Sequence, residues 1–268
     1  MATIHLIGSE GFIGRAVQHQ ARDHDLHCWS HSVADPSHHF DLLDPSSWQA
    51  LLSQQPRHVL LLSWPGLPDY DGVFHLTRNL PASIELIERL FKAGLRRLVL
   101  AGTCYEYGLQ HGPLREEQPA DPVNAYAIAK DALRRLLARR CPQEGVQWCW
   151  ARVFYAHGTG QNPNSLLPSL QAAIERGDAA FAMGSGRQVR DFVAVDDVAR
   201  QLLLLLSHPD AHGIYNCGSG QPVSIRELAE RTIAESAASI SLQLGARPDR
   251  VDEPLAFWAD INKLLSLS

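Results

Sequence analysis

Tyr126-Ala127-Ile128-Ala129-Lys130 places a phenol and an ammonium four residues apart. On a helix the two share one face. A phenol ordinarily gives up its proton at a pKa of about 10. A neighbouring ammonium favours the phenolate, so the spacing predicts a Tyr126 pKa drawn down toward neutrality, where the phenol works as an acid or base. Thr103 lies just past the apolar run Arg97–Ala101, which reads as a strand. A hydroxyl at that point can hold a carbonyl or hydroxyl oxygen of a substrate between itself and Tyr126.

A second constellation opens the chain. The run Thr3–Ile7 leads directly into Gly8-Ser9-Glu10-Gly11-Phe12-Ile13-Gly14. Gly8 permits a tight turn, Gly11 lets backbone approach a pyrophosphate, and Gly14 lets a helix pack close to the strand. The helix that follows, starting at Phe12 and Ile13, presents free N–H groups and the positive end of its dipole to phosphates. A purely structural turn is the plain alternative. The position at the first strand-to-helix turn of an α/β pattern favours a cofactor. Asp41-Leu42 falls near the end of the second strand-helix stretch. Asp41 can accept a hydrogen bond from an adenine amino group, or it can cap the helix beginning near Ser46.

These residues need a scaffold, and the pattern supplies one. Short apolar runs alternate with amphipathic stretches, as in βαβ units around a parallel sheet. Strands are predicted over Thr3–Ile7, Leu26–Trp29, His58–Leu62, Arg97–Ala101 and Val146–Val153. Helices are predicted over Phe12–Arg22, Ser46–Leu52, Asn79–Ala93, Asn124–Arg139, Asp196–Ser207 and Ser224–Ala237. Gly94 is a helix-ending glycine, and Asp196 and Ser224 are candidate N-caps. Beyond Phe154 the texture changes to Gly, Pro and Asn in Gly158-Thr159-Gly160-Gln161-Asn162-Pro163-Asn164. The expected fold is α/β: a Rossmann-type doubly wound parallel sheet with a small C-terminal substrate lobe. Residues 1–155 form the dinucleotide-binding domain, with 189–207 returning to it. Residues 156–188 and 208–268 form the lobe.

Composition agrees with a globular enzyme. The 268 residues are 45% hydrophobic and 20% charged, with a net charge of −5, which argues against disorder and against nucleic-acid binding. The start, Met1 to Gly8, lacks the basic lead-in of a signal peptide, and the longest apolar run, near Leu202–Leu206, is far short of a membrane span. Five scattered cysteines suit reduced thiols in a cytoplasm better than a disulfide framework.

The ordered set of Gly8, Gly11, Gly14, then Thr103 in Ala-Gly-Thr-Cys-Tyr-Glu-Tyr-Gly, then Tyr126 and Lys130 resembles the extended short-chain dehydrogenase/reductases, and more narrowly their NAD-dependent epimerase/dehydratase group. The likeness continues through Asn79, Arg152 leading into His157-Gly158, the stretch Gln188 to Ala199, Tyr215 to Gly220, and Arg247-Pro248-Asp249. The resemblance implies an NAD(P)-dependent oxidoreductase acting on a nucleotide-linked sugar. Tyr126 would be the acid/base, Lys130 would hold the nicotinamide ribose, and Thr103 would orient the substrate. Arg190 and Arg247 match positions that hold the sugar's diphosphate, chemistry that suits the guanidinium fork. An ion pair of Arg190 with Asp191 is the competing role. The family also implies a homodimer, through helices such as Asn79–Ala93 and Asn124–Arg139.

Departures from the family pattern narrow the reaction. Sugar 4,6-dehydratases carry Asp and Glu after the catalytic Thr; here Cys104 and Tyr105 stand there, and neither does carboxyl chemistry. Glu106, one place on, is open to a substrate contact or a structural role. The end of the second strand, Ser30-His31-Ser32, has no carboxylate for ribose hydroxyls, which tilts the cofactor toward NADP, with NAD open. Tyr155 replaces a usual Asn. The loop around Gly66-Leu67-Pro68-Asp69-Tyr70 lacks the common small-residue pattern. A 4-ketoreductase follows as the expected activity, with a 4-epimerase retaining NAD and a non-enzymatic cofactor sensor as rivals. No metal is expected: His24, His27, Cys28 and His31 fall where a strand must alternate their side chains. His38-His39 reads as a solvated pair, and Trp148 and Trp150 as core.

Overall fold

Apolar residues stand at consecutive positions in the predicted strands, as in Val59–Leu62 and Leu98–Ala101, rather than at every second one, the signature of strands buried on both faces. A computed structural model, describing residues 3–33, 35–249 and 253–267, has this architecture. Met1 and Ala2 of the expected first domain, and Ser268 of the lobe, lie outside the described residues.

In chain order the strands are β1 (Ile4–Ile7), β2 (Leu26–Trp29), β3 (His58–Leu61), β4 (Arg97–Thr103), β5 (Gly112–Leu114), β6 (Gln147–Val153) and β7 (Tyr155–His157). Then come β8 (Ala180–Ala182), β9 (Val189–Ala194), β10 (Gly213–Cys217), β11 (Pro222–Ser224), β12 (Ser241–Gln243) and β13 (Phe257–Ala259). The helices are α1 (Phe12–Gln20), α2 (Gln49–Ser53), α3 (Leu80–Lys92), α4 (Ala125–Gln143), α5 (Leu166–Glu175), α6 (Val195–Ser207), α7 (Ile225–Ser236) and α8 (Asn262–Leu265).

Six strands form one parallel sheet in the order β10-β6-β4-β3-β1-β2. Alternation divides its side chains between two cores. Leu60, Val99 and Cys149 face α1 and α6 through Val17, Val198 and Leu202. Val59, Leu98, Leu100, Trp148 and Trp150 face α3 and α4 through Leu86, Leu90, Leu133 and Leu137. Helices therefore cover both faces. The order reverses between β1 and β3, which opens a crevice at their carboxyl ends. Gly8 sits there, its backbone so close to β3 that a Cβ would lie 2.7 Å from the Ser63 nitrogen.

The smaller sheets, β11-β9-β7, β12-β8 and β13-β5, lie outside the main one. A separate core of Leu170, Ala173, Phe181, Met183, Ala229 and Ile240 holds α5 and α7 against β8. Two segments fall differently from the expected partition. Residues 213–217, expected in the lobe, form β10 and extend the main sheet beside β6. Residues 189–194, expected to return to that sheet, pair instead with β7 and β11 as β9, and only α6 packs back. Both pairings join residues distant in sequence, which local patterning does not encode.

Caps also needed correction. Ser224 does cap α7, its Oγ accepting from the Glu227 N–H at 3.0 Å. Asp196 is not an N-cap: α6 begins one residue earlier, after Ala194, leaving Asp196 in the first turn, where its charge still favours the dipole. The turn before α2 is capped by Asp44, not Asp41; the Asp41 carboxylate accepts from Leu43 N–H at 2.8 Å instead. Gly94 follows α3 with a φ of +96°, the left-handed stop expected of it. Among the described residues, no helix is long and apolar enough to cross a membrane.

Candidate active site

The glycine turn is built as its spacing demands. Gly8 takes a φ of +92°, open to glycine at little cost. A Cβ on Gly14 would stand 2.2 Å from the Gly8 carbonyl oxygen and 2.5 Å from that of Ser9, so helix and turn approach only because the side chain is missing. Gly11 is the N-cap residue of α1 and brings no side-chain acceptor. The first N–H groups of α1, at Phe12 to Gly14, thus keep their capacity for an anion. The fully buried Ser9 hydroxyl has no hydrogen-bond partner among the described residues. An uncapped helix end, a bare Gly11 and an unpartnered hydroxyl fit a dinucleotide pyrophosphate.

At the neighbouring strand end Ser30 is buried, bonded through its backbone to His38 and Phe40, while His31 and Ser32 are exposed. The His31 ring lies 5.5 Å from that of His39. Asp41 is half-buried. Leu42 is buried in the core with Trp48 and Phe40, so any contact it makes with a cofactor is through backbone.

Thr103 ends β4, and Tyr126 and Lys130 lie on the first turns of α4, which Asn124 caps by accepting from Ala127 N–H at 2.8 Å. The fold brings all three together. Thr103 stands close enough to the Tyr126 phenol to favour its ionised form, while its Oγ1 accepts from the Tyr105 N–H at 3.3 Å. Lys130 Nζ donates to the Ala101 carbonyl at 2.9 Å and lies 5.8 Å from the Tyr126 ring centre. All three side chains are buried. Burial pushes the Tyr126 phenol above its ordinary range, with Tyr70 and Glu106 adding to the effect and Thr103 opposing it. This reverses the expected lowering: in a dry site, loss of solvent outweighs the ammonium. The same burial draws Lys130 down to about 7. Tyr126 is therefore held as a proton donor rather than as a preformed base.

An aromatic wall that spacing did not reveal surrounds this trio. Trp64, just past β3, lies with its ring centre 4.0 Å from Lys130 Nζ. Tyr70 accepts at its carbonyl from Tyr126 N–H at 2.9 Å, and their rings are 5.7 Å apart. His75 packs 5.3 Å from Tyr126. Tyr105 continues the wall to Tyr155, whose hydroxyl donates to that of Tyr105 at 3.3 Å. The one available signal was the unusual loop composition between Trp64 and His75.

Behind the wall Glu106 is structural. It is fully buried and accepts from Thr103 N–H at 2.9 Å, Trp150 Nε1 at 2.8 Å and Arg152 Nε at 2.9 Å. Cys104 packs in a small core with Phe154 and Phe257, and burial pushes its thiol up. No carboxylate takes the places of the missing dehydratase acids. Arg190 is only 1% exposed and donates to Glu253 at 2.9 Å, to the Val189 and Leu255 carbonyls, and to the Tyr155 hydroxyl at 3.3 Å. Asp191, its expected rival partner, instead accepts from Ser219, Gly220 and Ala259. Arg247 is exposed, and its N–H donates to the Met183 carbonyl at 3.1 Å. Arg190 and Arg247 make no contact with one another among the described residues.

The chain is similar to known proteins. The model of the NAD dependent epimerase/dehydratase family matches residues 4–218. GDP-6-deoxy-D-mannose reductase of Pseudomonas aeruginosa is 30% identical over 92% of this chain and 84% of its own length. dTDP-6-deoxy-L-talose 4-dehydrogenase (NAD(+)) of Aggregatibacter actinomycetemcomitans is 29% identical over 77% of this chain and 76% of its own. The structure of RMD from Pseudomonas aeruginosa complexed with NADPH superposes with a TM-score of 0.84 at 25% identity, covering 100% of this chain and 92% of the other.

Proposed function

Because the chain belongs to the NAD-dependent epimerase/dehydratase family, we propose that it is an NADP-dependent oxidoreductase reducing the C4 ketone of a nucleotide-linked 4-keto-6-deoxy sugar. The observation that carries this reading is the burial of Tyr126, Thr103 and Lys130 together, with Lys130 Nζ 5.8 Å from the Tyr126 ring centre. Sugar relatives named as a 4-dehydrogenase and a reductase support it, and the bare helix end at Gly11 supports a dinucleotide.

When bound, the nicotinamide supplies the hydride. Everything else falls to this chain's side chains. Thr103 and Tyr126 hold the ketone oxygen between their hydroxyls. Tyr126, kept protonated by burial, gives its proton to that oxygen as negative charge develops there. Lys130 stabilises the phenolate left behind and holds the ribose hydroxyls. The carbonyl thereby gains one hydride at carbon and one proton at oxygen. Arg190 and Arg247 are proposed to hold the diphosphate; for Arg190 this requires exchange of its bond to Glu253. The NADP preference rests on His31 and the serines beside it, without a carboxylate. The proposal includes a homodimer in the cytoplasm.

Purified protein is supplied with nucleotide 4-keto-6-deoxysugars and ordinary nucleotide hexoses, with NADPH or NADH, while cofactor loss and product mass are followed. Stoichiometric oxidation with a gain of two hydrogens is expected. A product of unchanged mass without net oxidation establishes the 4-epimerase instead. Tyr126→Phe is expected to lower kcat by roughly 100-fold or more with cofactor affinity retained; undiminished turnover overturns the mechanism.

A further inference from the structure

Lys130 is an unusually placed cation. It is 5% exposed and has no carboxylate within ion-pair distance among the described residues. Its one hydrogen bond, to the Ala101 carbonyl at 2.9 Å, uses one of three ammonium protons. Charged groups around it are otherwise engaged. Glu106 is held by Arg152, with Arg134 3.7 Å away. Asp131, next along α4, binds Arg134 and Arg135. Beyond the Ala101 carbonyl, the face of Trp64, 4.0 Å from Nζ, stabilises positive charge there.

That face is held in place. Trp64 Nε1 donates to His75 Nδ1 at 3.0 Å, and the two rings stack 20° from parallel. Since Nδ1 accepts, the His75 proton sits on Nε2, which donates to the Asp69 carbonyl at 2.5 Å. Asn79 Nδ2 donates to the Pro65 carbonyl at 2.8 Å and lies 3.3 Å from His75 Nδ1, tying the residue after Trp64 to the same network. His75 and Asn79 are both fully buried.

We propose that Trp64 is a positioning residue whose ring face, fixed by His75, keeps Lys130 charged inside the dry site. The inference rests on the reading of Tyr126 and Lys130 as the acid–base pair. Burial, opposed by the charge of Glu106, brings Lys130 down to about 7, so its charge is balanced near neutrality. A contact worth tenfold in that equilibrium moves it by about one pH unit. Trp64 thereby sets whether Lys130 helps the phenolate or not.

The test reads Lys130 directly. The sequence holds three lysines, Lys92, Lys130 and Lys263, so protein labelled with 13C at lysine Cε gives three signals, assigned with Lys92→Arg and Lys263→Arg. Trp64→Phe keeps a ring face and is expected to leave the Lys130 midpoint within a few tenths of a pH unit. Trp64→Leu, and Trp64→Met should the leucine variant fold poorly, are expected to lower it by about one unit. Lys263, which faces the Tyr215 ring at 4.4 Å, is the internal control and stays put. An unchanged or raised Lys130 midpoint in the leucine and methionine variants overturns the proposal. The pH profile of sugar turnover should move with that midpoint. A lysine shift that the profile does not follow upholds the ring-face contact and refutes the acid–base reading.

Discussion

Replacing Glu106 by Gln keeps the shape of a buried side chain while deleting its charge. The cost follows from its partners. The carboxylate accepts three hydrogen bonds between 2.8 and 2.9 Å, from Thr103, Trp150 and Arg152. Glutamine has one acceptor oxygen, and its NH2 group would confront a donor. Arg152, 1% exposed, would lose its buried counter-charge, keeping the Tyr107 ring 4.2 Å away and the Glu116 carbonyl at 3.5 Å. Breaking such a pair costs about 3–5 kcal/mol. In a chain of this size that lowers Tm by roughly 6–20 °C. Urea unfolding at neutral pH, followed by circular dichroism, should show an earlier midpoint with an unchanged slope. Adding Arg152→Met should recover much of the loss, because the stranded cation is then gone. A single variant within about 1 kcal/mol of the parent, or a double variant weaker than the single, would refute the assignment of Glu106 as the counter-charge of this core.

Gly14→Ala forces its methyl against two backbone oxygens, at 2.2 and 2.5 Å. It should weaken NADPH binding by tenfold or more in calorimetry, on the order of 1.4 kcal/mol, and parent-like affinity would show that the turn does not shape the phosphate cradle. His5 is 4% exposed, and burial first, then the charge of His27, lowers its pKa to about 4. The folded state resists a proton that the unfolded chain takes up near pH 6.5, so His5 contributes its full stability above that pH. The contribution falls as pH drops toward 4, by about 3 kcal/mol in all. His5→Gln, which can still accept the bond that Trp29 Nε1 donates, should flatten this slope in urea titrations; an unaltered slope between pH 6.5 and 4 would remove His5 as its source.

The parts of the fold legible in sequence are those whose cause is local. The segment 97–101 reads as a buried strand because its apolar run Leu98–Ala101 is unbroken, and the turn at Gly8 to Gly14 reads as one because Gly8 and Gly14 leave no room for a side chain. The Tyr126 and Lys130 spacing put both side chains on the buried face of α4, beside the end of β4. Environment was harder to foresee. The helical spacing suggested an activated phenolate, yet burial raised Tyr126, and burial depends on Trp64, Tyr70 and His75 from a distant loop. Arg190 was readable as a cation but not as one already bonded to Glu253, sixty-three residues onward in sequence. The short strands β5, β7 and β8 carry three residues each, too few to impose a period. Helix α4 runs past Arg139 to Gln143 with Pro142 in its final turn, although proline has no N–H to donate there.

The pairing of β13 with β5 links two distant stretches of the chain. Gly112 N–H donates to the Ala256 carbonyl, Asp260 N–H to Leu114, and Lys263 Nζ to Ile214. β5 follows closely on Thr103, the last residue of β4. In chain order the crevice strands β1 to β4 come first and β13 comes long after them. A chain cut before Phe257 would leave β5 without its partner strand and take Phe257 and Ala259 from the core that also holds Cys104, the neighbour of Thr103. The packing beside Thr103 thus depends on a part of the chain far from the glycine turn.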